Sequence, residues 1–166
     1  MILYPDYYCK KVTDIDIDFL EKNNIKGLIL DVDNTLIDFD LNIIQGAKEW
    51  CDNLKNNGIK MVIVSNTNKK QKVEKVANLL DIDYVFKAWK PLKKGLIMGK
   101  EKLNLDNQNI ATVGDQIFTD VIGGNRLKMF SILVEPIAKK DIWITRLKRP
   151  IENLVINCYK KSIKKV

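Results

Sequence analysis

Short apolar runs alternate with segments of helical spacing along most of the chain. The apolar runs predict five short strands, at residues 27–31, 61–64, 84–86, 110–113 and 129–134. Between them, apolar side chains recur at intervals of three and four, and these predict helices at residues 44–57, 69–80, 93–103 and 117–127. Strands and helices that alternate in this way are typical of right-handed crossovers. We therefore predict an α/β fold with a doubly wound, mostly parallel sheet and helices on both faces.

The length and residue balance of the chain indicate a single domain. It has 166 residues, of which 46% are hydrophobic and 30% charged, as in ordinary globular proteins. We expect a core at about 26–135, with an N-terminal segment, 1–25, and a basic helical segment, about 139–166, packed on it. No apolar run approaches the roughly 20 residues that span a bilayer, and the first residues lack the pattern of a secretory signal. We therefore expect a cytoplasmic protein.

Histidine is absent, which narrows the chemistry open to this chain. Histidine is the most common general base and a frequent ligand of transition metals, so catalysis would depend on carboxylates, lysines, hydroxyls or amides. Cys9, Cys51 and Cys158 are odd in number and widely spaced. They favour reduced thiols over disulfides or a zinc site.

Polar residues follow four of the predicted strands, namely Asp31, Ser65, Lys90 and Asp115. In parallel sheets, ligands bind at the edge where the carboxyl ends of the strands meet. If the first strand continues in extended form, Asp31 and Asp33 point to the same face, where their charges repel unless a proton or a cation intervenes. Mg²⁺ prefers such hard oxygen ligands. We expect Asp31 to attack phosphorus as a nucleophile and Asp33 to act as the general acid and base.

Four motifs carry a resemblance to a known family. They are Asp31-Val32-Asp33-Asn34-Thr35-Leu36, Ser65-Asn66, Lys90-Pro91 and Gly114-Asp115-Gln116-x-x-x-Asp120. In order, they resemble the motifs of the haloacid dehalogenase-like (HAD) superfamily, over about residues 26–127. The last motif, the glycine pair Gly123-Gly124 and the opening Tyr4-Pro5-Asp6 are similar to the narrower YqeG family of subclass IIIA phosphatases.

The resemblance implies a role for each motif residue. It implies that the Ser65 hydroxyl and the backbone amide of Asn66 hold the phosphate. It also implies that Lys90 neutralises the charge that develops on the phosphoryl group. Asp115 would complete the Mg²⁺ shell with Asp31 and the main-chain carbonyl of Asp33.

Asp120 and Thr35 are the supporting residues of this predicted site. The resemblance implies that Asp120 orients Lys90 or a metal-bound water. Thr35 belongs to the first motif and would support its loop.

The spacing of the motifs predicts that the Rossmann-like HAD core has no cap domain. Each gap between the first three motifs has room for about one helix. The site should therefore lie open, and could accept a phosphate on a larger molecule or at a membrane surface. The YqeG family is similar to phosphatidylglycerophosphate phosphatases, which implies a phospholipid headgroup as substrate and a peripheral contact with the membrane.

The C-terminal segment admits two interpretations. Apolar and basic residues alternate there, and five of them predict one side of a helix: Ile151, Leu154, Val155, Cys158 and Tyr159. That side could face an anionic membrane, with the nearby lysines on lipid headgroups. We favour the alternative, in which the stripe packs on the sheet and the lysines are solvated.

Other functional classes fit the sequence less well. The net charge of +7 is compatible with a non-catalytic module that binds RNA or a protein partner. The aromatic residues, however, are not interleaved with basic ones as a base-stacking surface requires. A receiver-type signalling domain carries its phosphorylated aspartate on a later strand, where this chain has Ser65.

Overall fold

Six parallel strands form the centre of the protein. The computed structural model describes residues 2–137 and 143–163, with the side chains of the last helix described from 150 to 161. The strands are β1 (Tyr7–Cys9), β2 (Gly27–Leu30), β3 (Lys60–Val64), β4 (Asp83–Val85), β5 (Ile110–Gly114) and β6 (Phe130–Val134). Their order in the sheet is β1-β6-β5-β2-β3-β4, and all five pairings are parallel. The predicted fold class is confirmed.

The helices cover both faces of this sheet. They are α1 (Ile17–Lys22), α2 (Ala47–Asn56), α3 (Lys70–Leu80), α4 (Lys93–Leu103), α5 (Ile122–Arg126) and α6 (Trp143–Ile163). Successive side chains of a strand point to opposite faces. In β2, Leu28 and Leu30 therefore pack in the core with α1, α2 and α3, while Ile29 packs in a second core with α4. Burial on both faces explains why the strands are almost continuously apolar in sequence.

The strand β1 has no counterpart in the sequence prediction. It has only three residues, and it extends the sheet by pairing with β6, so that Tyr7 lies opposite Ile132. Nothing local distinguishes so short an edge strand from a loop. The helix α1 was missed for a similar reason, since it has six residues and begins where the Asp16 carboxylate accepts a hydrogen bond from the Phe19 amide.

The predicted helix at residues 117–127 is in fact two short elements. A π-helix covers Ile117–Val121, and α5 continues from Ile122. A π-helix widens the turn and is frequent at functional sites. This wider turn carries Asp120.

No cap domain interrupts the sheet within residues 2–137. The connection between β2 and β3 holds one helix, α2, and a loop in which Ile37 bridges to Asp33 on one side and to Ile43 on the other. The connection between β3 and β4 holds only α3. We call residues 35–45, which lie between the first motif and α2, the flap. The prediction of a capless core is confirmed.

The helix α6 packs with a different face from the one predicted. Val155 and Ile156 pack against the cluster of Ile117, Val121 and Leu133, and Tyr159 is also buried. The predicted stripe is right for Val155 and Tyr159 but wrong for three other members: Ile151 and Leu154, which are 54% and 65% exposed, and Cys158, which is also exposed.

A buried acid takes the place that the prediction gave to apolar residues. Glu152 is only 1% exposed, and its Oε1 accepts a hydrogen bond of 3.3 Å from the Phe118 amide. Periodicity cannot reveal this, because an acid in sequence is normally assigned to the solvent face.

Part of the predicted basic segment lies outside the described residues. This holds for Lys139, Lys140, Lys164 and Lys165. Among the helices that the structure describes, none has the length and apolar character needed to cross a bilayer.

Candidate active site

Four buried polar side chains meet at the carboxyl edge of the sheet, which we call the catalytic edge. Asp31 follows β2 directly and Asp115 follows β5, the neighbouring strand. Lys90 lies in the loop after β4, and Asp120 lies in the π-helix. All four are at most 7% exposed. Charged side chains are almost never buried to this degree unless they are paired, so their arrangement is informative.

Lys90 joins two of these acids. Its Nζ donates to Asp31 Oδ1 at 2.7 Å and to Asp120 Oδ1 at 2.6 Å. Removing either charge from such a cluster would leave the others buried without full compensation, which costs several kcal/mol. The sequence prediction that Asp120 orients Lys90 agrees with this contact, although its role in a reaction stays a prediction.

The electrostatic balance of the cluster is negative, with one ammonium and three carboxylates. Burial raises the pKa of Asp31 to about 7; the Lys90 charge opposes this shift, and the carboxylates of Asp120 and Asp33 add to it. Burial alone would lower the pKa of Lys90, but Asp120 and Asp31 outweigh it and hold that pKa above its ordinary value. Lys90 is therefore an ammonium at neutral pH, and full ionisation of the three carboxyl groups would leave the cluster with surplus negative charge, which the raised pKa of Asp31 opposes.

This surplus fits a divalent cation. Carboxylate oxygens of Asp31, Asp115 and Asp120 all lie within 4.8 Å of one another, and all three residues are buried. A set made only of carboxylate oxygens suits Mg²⁺ and similar hard cations. The sequence predicted Asp31, Asp33 and Asp115 as the metal-binding residues. The structure brings the first and third together with Asp120, and the contribution of the Asp33 carbonyl stays a prediction.

The close approach of the Asp120 carboxylate explains why this motif begins with a glycine, Gly114. A Cβ atom at Gly114 would lie 2.2 Å from Cγ of Asp120, closer than any real contact. The carboxylate of Asp120 thus lies against the bare backbone of β5, where its Oδ2 also accepts a hydrogen bond of 3.2 Å from the Gln116 amide. The glycine makes room for the acid that contacts Lys90.

Asp33 has a partner that the sequence did not predict. The β2 ladder ends at Leu30, the Asp31 amide adds one more hydrogen bond to the Val113 carbonyl, and the Asp33 carboxylate is close enough to raise the pKa of Asp31. That the two acids share a face stays a prediction. The Asp33 carboxylate also forms an ion pair with Lys72, near the start of α3. Lys72 lies 39 residues away in sequence and belongs to none of the motifs, so no local pattern indicates it.

The second motif positions the third. The Asn66 side chain accepts a hydrogen bond of 2.6 Å from the Lys90 amide, and its Nδ2 donates to the Lys90 carbonyl at 2.9 Å. The side chain of Asn66 therefore fixes the backbone of Lys90, a contact that the predicted role of the Asn66 backbone amide did not include. Ser65 is buried at the end of β3, and its Oγ accepts a hydrogen bond from the Thr67 amide.

Thr35 lies inside the loop that follows Asp31. It is 1% exposed, and its hydroxyl has no hydrogen-bond partner within the described part of the chain. Its amide donates to the Val32 carbonyl, which folds the loop back toward β2. A buried hydroxyl without a partner is costly, so this one points to a ligand or to water.

Comparison with known proteins agrees with this geometry. A family model described as a haloacid dehalogenase-like hydrolase matches residues 40–128. The chain is 37% identical over 159 residues to the "Probable phosphatase YqeG" of Bacillus subtilis (strain 168), an alignment that covers 95% of this chain and 92% of that protein.

Solved structures of lower identity share the fold. An uncharacterized protein from Listeria monocytogenes serotype 4b superposes with a TM-score of 0.57 at 20% identity, covering 71% of this chain and 85% of that one. The cobalt-bound deoxy-D-mannose-octulosonate 8-phosphate phosphatase of Haemophilus influenzae superposes with a TM-score of 0.51 at 15% identity, covering 84% and 92%. Together with the family model and the Bacillus relative, the motif residues at one sheet edge establish that the chain belongs to the haloacid dehalogenase-like hydrolases.

Proposed function

We propose that the protein is a phosphatase that hydrolyses a phosphomonoester through a phosphorylated Asp31. The observation that carries the proposal is the buried contact of Lys90 with both Asp31 and Asp120, beside Asp115. It supplies a carboxylate nucleophile and a cation for the phosphoryl oxygens within one cluster. The name of the Bacillus relative supports the same activity.

In the first step, a carboxylate oxygen of Asp31 attacks phosphorus as the bond to the leaving oxygen breaks. Lys90 stabilises charge on the phosphoryl oxygens, and the Ser65 hydroxyl donates a hydrogen bond to one of them. Asp33, in its protonated form, gives its proton to the leaving alcohol, and the carboxylate that results is the form that pairs with Lys72 in the structure. The products of this step are the free alcohol and an aspartyl phosphate at Asp31.

In the second step, water attacks the phosphorus of the aspartyl phosphate. Asp33, now a carboxylate, takes a proton from this water, and the bond between phosphorus and the Asp31 oxygen breaks. Inorganic phosphate leaves and both acids return to their starting states. Lys72, which pairs with Asp33, is a second ammonium group in contact with the proposed acid and base.

The acids of the cluster would hold Mg²⁺. Asp31 and Asp115 would bind the ion, with the Asp33 carbonyl, and Asp120 stays next to Lys90. When bound, the ion would neutralise charge on the acids and on the phosphate.

Hydrolysis of para-nitrophenyl phosphate tests this proposal. We expect magnesium-dependent release of phosphate that EDTA abolishes, and a loss of at least about 1,000-fold in kcat for Asp31→Asn. Asp40→Asn, an exposed acid on the flap, is the matched control and should keep its activity. Borohydride reduction of the protein during turnover, followed by peptide mass spectrometry, should place homoserine at residue 31. A wild type inert with every divalent metal would favour a non-catalytic binding module.

We further propose that the substrate is carried by a lipid, specifically phosphatidylglycerophosphate. The open site and the character of its rim support this. Phe39 and Leu41 on the flap and Trp89 and Leu92 near Lys90 are each more than half exposed. Exposed lysines lie in the same loops and at the adjoining helix starts, namely Lys69, Lys70, Lys87, Lys93 and Lys94. Apolar side chains among lysines suit the surface of an anionic bilayer.

Comparison of substrates tests this finer proposal. Phosphatidylglycerophosphate in vesicles should be hydrolysed with a higher kcat/KM than sugar phosphates or nucleotides. The double variant Phe39→Ser/Trp89→Ser should lose this advantage and keep its activity on para-nitrophenyl phosphate. Its control is Ile97→Ser/Met98→Ser, which removes exposed apolar side chains from α4. Equal kcat/KM for the lipid and the soluble esters would contradict the lipid substrate.

A further inference from the structure

A cavity of about 480 Å³ opens at the catalytic edge, beside the acidic cluster. Three segments form its walls: the residues after β1, the flap, and the residues after β6. Its lining includes Lys10, Lys11, Thr35, Asn42, Ile44 and Ile137. Pockets of this volume commonly hold small organic ligands. The lining does not include the four residues of the cluster, namely Asp31, Lys90, Asp115 and Asp120.

The cavity lies within reach of a substrate bound at Asp31. Thr35 donates its amide hydrogen to the Val32 carbonyl across a turn, and Val32 is the next residue after Asp31. A turn of this kind holds its ends within about 7 Å, and adjacent Cα atoms are about 3.8 Å apart. The Cα atoms of Thr35 and Asp31 are therefore at most about 11 Å apart. A short organic chain on the phosphate spans that distance.

Backbone hydrogen bonds hold the residues after β6 against the loop that follows Asp31 and against the end of β1. The Ile137 amide donates to the Asn34 carbonyl at 3.1 Å, and the Glu135 amide donates to the Cys9 carbonyl at 3.2 Å. The second bond continues the pairing of β1 with β6. The N-terminal strand thus carries Lys10 and Lys11 to this edge.

The lining combines three kinds of chemistry. Lys10 and Lys11 supply two exposed ammonium groups, and Ile44 and Ile137 supply apolar surface. Thr35 contributes the buried hydroxyl that no group in the described residues satisfies.

The acids that line the cavity have polar contacts of their own. Asp38 accepts hydrogen bonds from the amide and the side chain of Asn42, and Glu135 accepts one from the Tyr8 hydroxyl. These partners are neutral, so both acids keep their negative charge, and the two lysines would attract an anion through direct contact and not through a net positive charge of the cavity.

We propose that this cavity binds the organic part of the phosphomonoester, and that Lys10 and Lys11 select substrates with a second anionic group. The proposal rests on the phosphatase function proposed above. The alkyl part of such a substrate contacts the isoleucines, and its distal anion meets the lysines. The two lysines follow β1, a strand outside the motif-bearing core. They thereby determine specificity for the substrate without taking part in the reaction.

Matched soluble esters test the proposal without a membrane. Alkyl phosphates and ω-carboxyalkyl phosphates of equal chain length differ only in the distal carboxylate. We expect the wild type with Mg²⁺ to prefer the carboxyalkyl ester by about tenfold in kcat/KM at the chain length that reaches the lysines, because one charge-assisted contact is worth about that factor. Lys10→Ala/Lys11→Ala should reduce the ratio to about one.

Two control variants separate a specific effect from a general one. Lys10→Arg/Lys11→Arg keeps both charges and should keep the preference. Lys22→Ala/Lys26→Ala removes two exposed lysines, the last residue of α1 and the residue before β2, at the opposite edge, and should also keep it. Para-nitrophenyl phosphate should be hydrolysed equally by the wild type and all three variants.

The outcomes distinguish this inference from the proposed function. If the wild type shows no preference at any chain length, or if both lysine-to-alanine pairs lower the ratio equally, the anion site is refuted while phosphatase activity stands. If no ester is hydrolysed, including para-nitrophenyl phosphate, the proposed function itself fails, and this inference with it.

Discussion

The catalytic edge of the sheet and the helix α6 both bury acidic side chains and expose apolar ones. The contacts of the buried acids differ between the two regions. At the catalytic edge, Asp31 and Asp120 are buried around an ammonium, that of Lys90. On α6, Glu152 is buried where it accepts a backbone hydrogen bond from Phe118. The ion pairs of Lys90 gather charge at one place, and the contact of Glu152 with the Phe118 amide attaches α6 to the π-helix.

The two regions also differ in how their sequences relate to their contacts. The motifs of the catalytic edge follow strands, and parallel strands bring their ends together whatever the side chains. The packing face of α6 depends on the residues that the helix contacts. It includes Glu152 and leaves Ile151 and Leu154, of the most apolar stripe, exposed. Position in the topology is therefore a stronger guide than local pattern.

Thiol chemistry gives the largest expected contrast between the two regions. Burial raises the pKa of Cys9 and of Cys51 to about 12, so about one thiol in 10⁴ is ionised at pH 8. Cys158 is exposed on α6. An aromatic disulfide reagent at pH 8 should therefore modify Cys158 at least about 1,000-fold faster than the other two, as peptide mass spectrometry would show. Equal labelling of all three would contradict the buried positions.

The same pKa shifts predict how stability depends on pH. The folded state keeps Cys9 and Cys51 protonated above their ordinary pKa of 9.0, whereas the unfolded chain ionises them there. The unfolded state then binds fewer protons, so the free energy of unfolding falls as pH rises above 9.0. Replacing both by alanine should flatten this part of the curve, measured by urea unfolding.

Removal of the central cation should disrupt the catalytic edge strongly. Lys90→Met leaves the buried Asp31 and Asp120 without their ammonium, and we expect a loss of roughly 3–5 kcal/mol in the free energy of unfolding and at least about 100-fold in kcat. Adding Asp120→Asn should recover part of the stability and none of the activity. If the single variant is as stable as the wild type without metal, the buried ion pairs do not form.

The attachment of α6 is the next test. Glu152→Ala leaves the Phe118 amide without its acceptor, so we expect a loss of about 1–3 kcal/mol in the free energy of unfolding. Glu152→Gln keeps an acceptor oxygen and should lose less. The exposed Glu101→Ala, on α4, is the control. Equal stability of Glu152→Ala and Glu101→Ala would show that the buried acid contributes nothing to attachment.

The link between the second and third motifs should produce a smaller effect. Asn66→Ala removes both hydrogen bonds to the Lys90 backbone, and we expect kcat on para-nitrophenyl phosphate to fall about tenfold, since each bond contributes about 1 kcal/mol. If both bonds contribute fully, the loss reaches about 30-fold, because about 2 kcal/mol corresponds to that factor. The control is Asn68→Ala, an exposed asparagine two residues further along. A change in KM with kcat preserved would argue for a role in binding the substrate and against positioning of Lys90.

The smallest effect is expected on the outer face of α6. Ile151→Lys and Leu154→Lys alter exposed side chains and should change the free energy of unfolding by less than about 0.5 kcal/mol. Val155→Lys alters a side chain that packs near Leu133 and should cost more. Thermal unfolding of the three variants would show which face meets the sheet, and an equally large loss for all three would restore the predicted stripe, to which Val155 also belongs.

Much of the fold was predictable because its signals are local. The buried runs of β2, β3 and β5 and the helices between them are visible in sequence, and their boundaries agree within a few residues. The order of motifs at successive strand ends then predicts that Asp31, Lys90 and Asp115 meet at one edge, as they do.

The parts that escaped prediction depend on contacts distant in sequence. The pairing of Lys72 with Asp33 and the clamp of Asn66 on Lys90 join separate loops. The burial of Glu152 follows from where α6 meets the π-helix. Each of these contacts depends on geometry that exists only once the chain is folded. The spacing of apolar residues along the sequence does not predict it.

The pairing of β1 with β6 sets an order of events during folding. Tyr7 lies opposite Ile132, so the first strand of the chain has no neighbour in the sheet until the last one has formed. Contacts so distant in sequence slow folding, because the intervening chain must be ordered first. During synthesis on the ribosome, Tyr7–Cys9 would therefore stay unpaired while the motif-bearing strands assemble. The pairing of β1 with β6 would be a late step of folding.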